Sequence, residues 1–211
     1  MVASCHAADE THEACMADPI DVLDFWLGEV GPDGWYAASD TLDAQCRERF
    51  FDLWQAALDG GMEHWVDGTV GTLAYLVICD QLARNMHRGD AKSFATDPQA
   101  RAAARVALEN GWDMAAPEPE RQFFYLPFMH SEDLADQLLC VSLFSNKMPE
   151  TGAEQVLHAR AHENIIRRFG RFPFRNAALG RNNTAEEAQF MAEGAYGAVV
   201  RAMKASHATS A

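Results

Sequence analysis

Residues 73–86 read LAYLVICDQLARNM, and the fold is decided there. An apolar run of this kind is ambiguous between a buried strand and a buried helix until its period and length are read. The stretch is longer than an ordinary strand and holds neither Gly nor Pro. At about 100° per residue, Leu73, Val77, Asp80 and Arg84 fall on one stripe of a helix. Asp80 and Arg84 stand one turn apart, where a carboxylate and a guanidinium can pair. Gln81, Asn85 and Arg88 lie beside them. Polar groups on a stripe that must face the core are costly unless they satisfy one another or hold something else.

The same period extends in both directions. Asp18-Pro19 is an N-cap with Pro at the first helical position, predicting a helix to Leu27 that ends at Gly28 and Gly31-Pro32-Asp33-Gly34. Residues 40–58 repeat apolar groups at helical spacing and stop at Gly60-Gly61. Asp97-Pro98 opens an alanine-rich helix that closes at Asn110-Gly111. RQFFYLPFMH, residues 121–130, fits either a helix or an extended piece. Ser131 is expected to cap a helix to about Phe144, with Leu134, Leu138, Val141 and Phe144 as its apolar stripe and Gln137 upon it. Glu154 to Phe169 is a further helix, broken by Gly170 and followed by a loop stiffened by Pro173. Thr184-Ala-Glu-Glu187 is a capping box that opens a last helix to about Lys204. The expectation is an all-α fold of about seven helices in one domain, residues 18–211, after a disordered polar leader, residues 1–17. No repeat period of 20 to 50 residues is visible.

Composition bounds the rest. A chain of 211 residues with 48% hydrophobic and 10% aromatic residues can bury a sizeable core. The net charge of -14 argues against a nucleic-acid or anionic-membrane surface. No apolar run reaches the ~18 residues of a membrane span. Five cysteines without a CxxC pair, two of them (Cys79 and Cys140) inside apolar runs, point to a reducing, cytoplasmic setting.

Other polar residues share apolar stripes. His130 projects onto the N-terminal extension of the Ser131 helix, and His162 shares a face with Ile165, Ile166 and Phe169, with His158 one turn back. Asp80, Arg84, His130, Gln137 and His162 are therefore expected to meet in one interior. Between Arg160 and Arg181 lie six arginines opposed only by Glu163, a basic island in an acidic chain. Arginine's planar fork suits carboxylate or phosphate. The motifs exclude more than they assign. His162-Glu163 lacks the second histidine of HExxH, and His158 with His162 lacks a third ligand, so no metal is expected. GxSxG, GxGxxG and GxxxxGK[ST] are absent, and no cofactor is expected.

Four segments carry a resemblance: DVLDFWLGE (21–29), LVICDQLARNMHRGDAKSFATD (76–97), FFYLPFMHSEDLADQ (123–137) and AHENIIRRFGRFPFRNAALGRNNTAEE (161–187). Together they resemble the bacterial DUF924 proteins, a family of unknown function assigned to the TPR-like helical superfamily. The resemblance implies a TPR-like antiparallel helical array. It marks as signature positions Asp80, Gln81, Arg84, Asn85 and Arg88, then His130, Glu132 and Gln137, then His162, Arg171, Arg175, Asn176 and Arg181. It also implies a histidine where this chain has Phe174.

Two functions are compatible with these residues. In one, a pocket binds a small anionic molecule through Arg84, Arg171 and Arg175, assisted by Gln81, Asn85, Arg88, Gln137, Asn176 and Arg181. His130 or His162 then serves as acid or base, oriented by Asp80 or Glu132. Whether such a pocket catalyses is left open by the sequence. In the other, a helical interaction module takes an acidic peptide or C-terminal carboxylate on the arginine island. A polar cluster that only fixes helix register is the structural alternative. The sequence does not specify the oligomeric state.

Overall fold

The computed structural model describes residues 18–208; the reading of residues 1–17 as a leader, with Cys5 and Cys15, lies outside them. Every regular element among the described residues is helical, so the chain is all-α. Helix α1 (Pro19–Leu23) is capped by Asp18, whose side chain accepts from the Ile20 amide at 2.9 Å. It does not stop near Gly28. It continues as a wider π turn, Asp24–Val30, and breaks at Gly31, where φ is +64°. One helical glycine costs only about 1 kcal/mol, and the continuing turn packs Val30 against the core in return.

Helix α2 (Asp40–Leu58) starts at a Ser39 cap. Helix α3 begins earlier than the stripe predicts, at Thr69, and runs through Thr69–Leu76, a π turn Val77–Leu82 and Ala83–Met86. All six residues of that π turn are buried, Asp80 and Gln81 among them. Helix α4 (Asp97–Asn110) ends at the left-handed Gly111. The ambiguous segment at 121–130 resolves into helical turns, Glu120–Phe124 and Leu126–Met129.

Helix α5 (Leu134–Lys147) corrects the expected cap. Asp133, not Ser131, accepts from the Ala135 amide at 2.7 Å, and the Ser131 hydroxyl accepts from the Asp133 amide. The buried stripe of α5 is Asp136, Gln137, Cys140, Leu143 and Phe144, and Leu138 is exposed. Helix α6 (Ala153–Phe169) ends at Gly170 in the left-handed region. The Thr184–Glu187 capping box opens α7 (Ala185–Ala192), but the single helix expected to Lys204 is broken at Gly194, and a separate α8 (Ala195–Ala208) follows.

The main core joins α1 through α5 around Trp26, Trp54, Phe123, Phe124, Phe128 and Phe144. Burying each such ring contributes roughly 1.5–3 kcal/mol. A second, smaller cluster (Ile165, Ile166, Phe172 and Phe190) lies under α6, α7 and the 170s loop. Cys46, Cys79 and Cys140 are buried free thiols. No described helix is long and apolar enough to cross a membrane.

The α5–α6 corner fixes how the two clusters meet, and Gly152 makes that corner possible. A Cβ there would lie 2.4 Å from the Met148 carbonyl oxygen and 2.9 Å from that of Phe144. Gly152→Ala should therefore cost about 1–3 kcal/mol, read as a lower urea midpoint with an unchanged m-value. An unchanged midpoint would mean that the corner relaxes freely.

Candidate functional site

The site begins at the π turn of α3. Such turns widen the backbone spiral and recur at functional positions. Here the turn carries Asp80, only 1% exposed. Its carboxylate lies 3.1 Å from the Arg84 guanidinium, takes a hydrogen bond from the Gln81 amide and meets His130 Nδ1 at 2.7 Å. Burial works to raise its pKa, but Arg84 and His130 hold it well below the usual carboxylate range.

Arg84 also reaches Asp97 in the first turn of α4, at 3.0 Å. Asp97 receives Arg175 from the 170s loop at 3.3 Å. The Arg175 guanidinium lies 4.4 Å from the Phe94 ring centre and 4.8 Å from that of Phe172. Burial and the neighbouring Arg84 lower its pKa to about 10, which leaves it charged at neutral pH. Two carboxylates and two guanidiniums thus form a neutral buried layer, and neither arginine is left over for an incoming anion.

Against this layer stand three imidazoles. His130 is anchored through Nδ1 to Asp80; His162 is anchored through Nδ1, which donates to the His158 carbonyl at 2.9 Å. Their rings are 6.4 Å apart, edge to face. Burial, then Arg84, lowers the pKa of His130 despite Asp80. Burial, reinforced by His130 and Arg175, pushes His162 down to about 3 although its bond to the His158 carbonyl opposes this. Both rings are neutral at pH 7. Among the described residues neither Nε2 has a hydrogen-bond partner and neither is sealed away, and both rings line one cavity.

That cavity has a volume of about 390 Å³ and is bounded by Tyr36, Leu126, Met129, His130, Glu154, Gln155, His158, His162 and Tyr196. The His158 Nδ1 bonds the Tyr196 hydroxyl, and its Nε2 lies 3.3 Å from Glu154. Phe174 stacks on Phe172, with ring centres 5.1 Å apart, and faces Tyr196 edge-on at 6.4 Å. At that position it offers apolar surface and no proton.

Not every expected residue arrives at the cavity. Gln137 donates to the carbonyls of Phe128, Met129 and Ser131, at 3.2, 2.7 and 2.6 Å, and so holds the turn that presents His130. Glu132 takes both prongs of Arg181, at 2.7 and 2.9 Å, and the Phe172 amide at 2.8 Å, which pins the 170s loop instead of orienting a histidine. Arg171 forks onto Glu187, the capping-box glutamate. Asn176 bonds Asn183. Asn85 and Arg88 leave the neighbourhood altogether and bind Asp43 of α2.

The sequence reading missed Asp97, whose Asp-Pro signal was spent on a helix start, and missed Tyr36, Gln155 and Tyr196. Those three sit in loops or on partly exposed faces, where no period marks them. Among the described residues, no group of three or more His, Cys, Asp or Glu is arranged to hold a metal ion.

Residues 22–195 match the model of a family described as bacterial proteins of unknown function, DUF924. Among solved structures, the chain is similar to a protein of unknown function from Agrobacterium tumefaciens, at 40% identity and a TM-score of 0.78, covering 83% of this chain and 97% of that one. No curated protein matches.

The depressed pKa of His162 couples stability to pH. The unfolded chain takes a proton near pH 6.5 and the folded one only near pH 3. The stabilisation is therefore complete above pH 6.5 and is lost as the pH falls below it, by about 2 kcal/mol from this group at pH 5. Urea titrations at pH 7 and pH 5 should show that loss in the native chain, reduced by a similar amount in His162→Asn. An equal pH dependence in both would exclude His162 as its source.

Proposed function

The chain belongs to the bacterial DUF924 family, whose function is unknown, and from that premise we propose that its histidine-lined cavity binds a small uncharged molecule and takes a proton from it. The observation that carries this reading is the pair of neutral imidazoles, each tied down through Nδ1 and each offering Nε2 to the same space. Two acceptors facing one cavity call for a ligand that brings O–H or N–H donors. The lining of Leu126, Met129 and aromatic rings favours an apolar or aromatic frame for those donors.

The two histidines divide the work by environment. His130 has the Asp80 carboxylate behind its Nδ1, so a proton accepted at Nε2 produces an imidazolium already paired at 2.7 Å. His162 has only a carbonyl behind it and Arg175 of the layer nearby, so it stays an acceptor that orients the ligand. Pairs of groups whose surroundings push their pKa values apart commonly mark the base and its partner. An anion receives no comparable support: Arg84, Arg175, Arg171 and Arg181 all have carboxylate partners.

The reading is tested by a thermal-shift screen of neutral alcohols, amides and N–H heterocycles against carboxylates and phosphates of similar size. A ligand at 100 times its Kd contributes about 2.7 kcal/mol, on the order of 5–10 °C for a chain of this size. The expectation is that neutral donors raise Tm and that His130→Ala abolishes the rise. Stabilisation by anions alone, or a rise that survives His130→Ala, would sink it.

A further inference from the structure

The cavity wall that carries Tyr196 is built differently from the rest. None of residues 195–206 in α8 is buried, whereas every other helix of eight or more residues among those described has a buried residue. The helix is set off from α7 by two left-handed residues, Gly194 (φ +102°) and Ala195 (φ +47°). A non-glycine residue there costs on the order of 1 kcal/mol and persists only while its surroundings hold it. What holds it is Ala195, Tyr196 and Val199 resting on the second apolar cluster, and Lys204 reaching Glu154 of α6 at 2.7 Å.

We propose that Tyr196 is a ligand-contacting residue of the cavity, carried by a helix that swings on Gly194–Ala195 and is latched by Lys204 on Glu154. The proposal rests on the base-lined pocket described above. Glu154 lies 3.3 Å from His158 Nε2, which favours the tautomer with its proton on that nitrogen. His158 Nδ1 is then an acceptor, and the Tyr196 hydroxyl donates its hydrogen bond to it. The lone pairs of the Tyr196 oxygen are left to face the cavity that the ring lines. Burial and Glu154 push the Tyr196 pKa up to about 12, so the group remains a phenol whose proton is committed to His158. The cavity therefore offers a third acceptor, on a ring whose centre lies 4.7 Å from that of His162. A ligand with two separated donors can satisfy an imidazole and Tyr196 at once. Helices held by few buried contacts open at low free energy, so this wall is also the way in.

Two neutral probes separate the possibilities in the full-length chain: resorcinol, with two O–H donors on one ring, and phenol, with one. Binding is followed by NMR of the histidine ring signals. The wild type should bind resorcinol about tenfold more tightly than phenol, and Tyr196→Phe, which keeps the ring, should erase that preference while still binding phenol. A preference that survives Tyr196→Phe overturns the contact and leaves the pocket reading standing. Failure of both probes to perturb His130 and His162 in the wild type overturns the pocket reading and this proposal with it. The latch is read separately by native-state hydrogen exchange. Amides of α8 should exchange at least about a hundredfold faster than those of α6, and Lys204→Ala should accelerate α8 several-fold more without changing α6. Equal protection of α8 and α6, or no response to Lys204→Ala, overturns the swinging helix.

Discussion

Asp97 sits in the first turn of α4 and holds two guanidiniums, Arg84 from α3 and Arg175 from the loop after α6. Most of the site follows from that arrangement. A buried carboxylate with one arginine would leave the other arginine uncompensated, and a broken buried pair costs several kcal/mol. With Asp80 completing the set, four charges cancel within a layer that lies between the main core and the second cluster. The position of Asp97 also uses the helix itself, since a carboxylate in a first turn meets the positive end of the dipole. The layer therefore fixes the 170s loop against α3 and α4, elements far from it in sequence.

The same layer sets the protonation of the imidazoles in front of it. Arg84 adds to burial in lowering His130, and Arg175 does so for His162. Neutral histidines at pH 7 follow from a fixed positive neighbour on one side and poor solvation all round. Asp80 tempers this at His130 only, because its carboxylate touches that ring and not the other. Two imidazoles whose centres are 6.4 Å apart thus differ in basicity through their anchors and their charged neighbours.

Helical period made the fold legible, and it made the buried half of the site legible too. Asp80, Arg84, His130 and His162 could be found because each breaks an apolar stripe, and the structure brings all four into one neighbourhood. Asn85 lies in the same helix and Arg88 just past its end, but both meet α2, where Asp43 waits. Angular position on one helix does not say which neighbour each side meets. The arginine island was visible as charge, but its partners Glu186 and Glu187 lie after it and Glu132 well before it in sequence, and only the turn of the 170s loop joins them. Tyr36 and Tyr196 left no signal, because a residue on a loop or a half-exposed helix satisfies no period. The break at Gly194 was hidden by the strong capping box before it, which announces where a helix begins and nothing about where it ends.

These differences sort the cavity into two parts with different physical origins. The inner wall, His130 and His162, is backed by an over-determined layer: Asp80, Asp97 and Arg84 each hold two or more partners, Arg175 pairs with Asp97 against two aromatic rings, and moving one strands another. Its chemistry is fixed by the requirement that buried charge be cancelled. The outer wall, Tyr36 and α8, answers to no such requirement. Tyr36 is 61% exposed, and α8 is held by a half-buried face, the Tyr196–His158 hydrogen bond and the exposed Lys204–Glu154 pair, the last contributing at most about 1 kcal/mol. The family match ends at residue 195, where α8 begins. A rigid base and a lightly held cover are what a pocket needs if it must keep its histidines neutral and still admit a molecule of its own volume. The cost of ordering falls on the part that can open, and the charges that set the chemistry stay where they are.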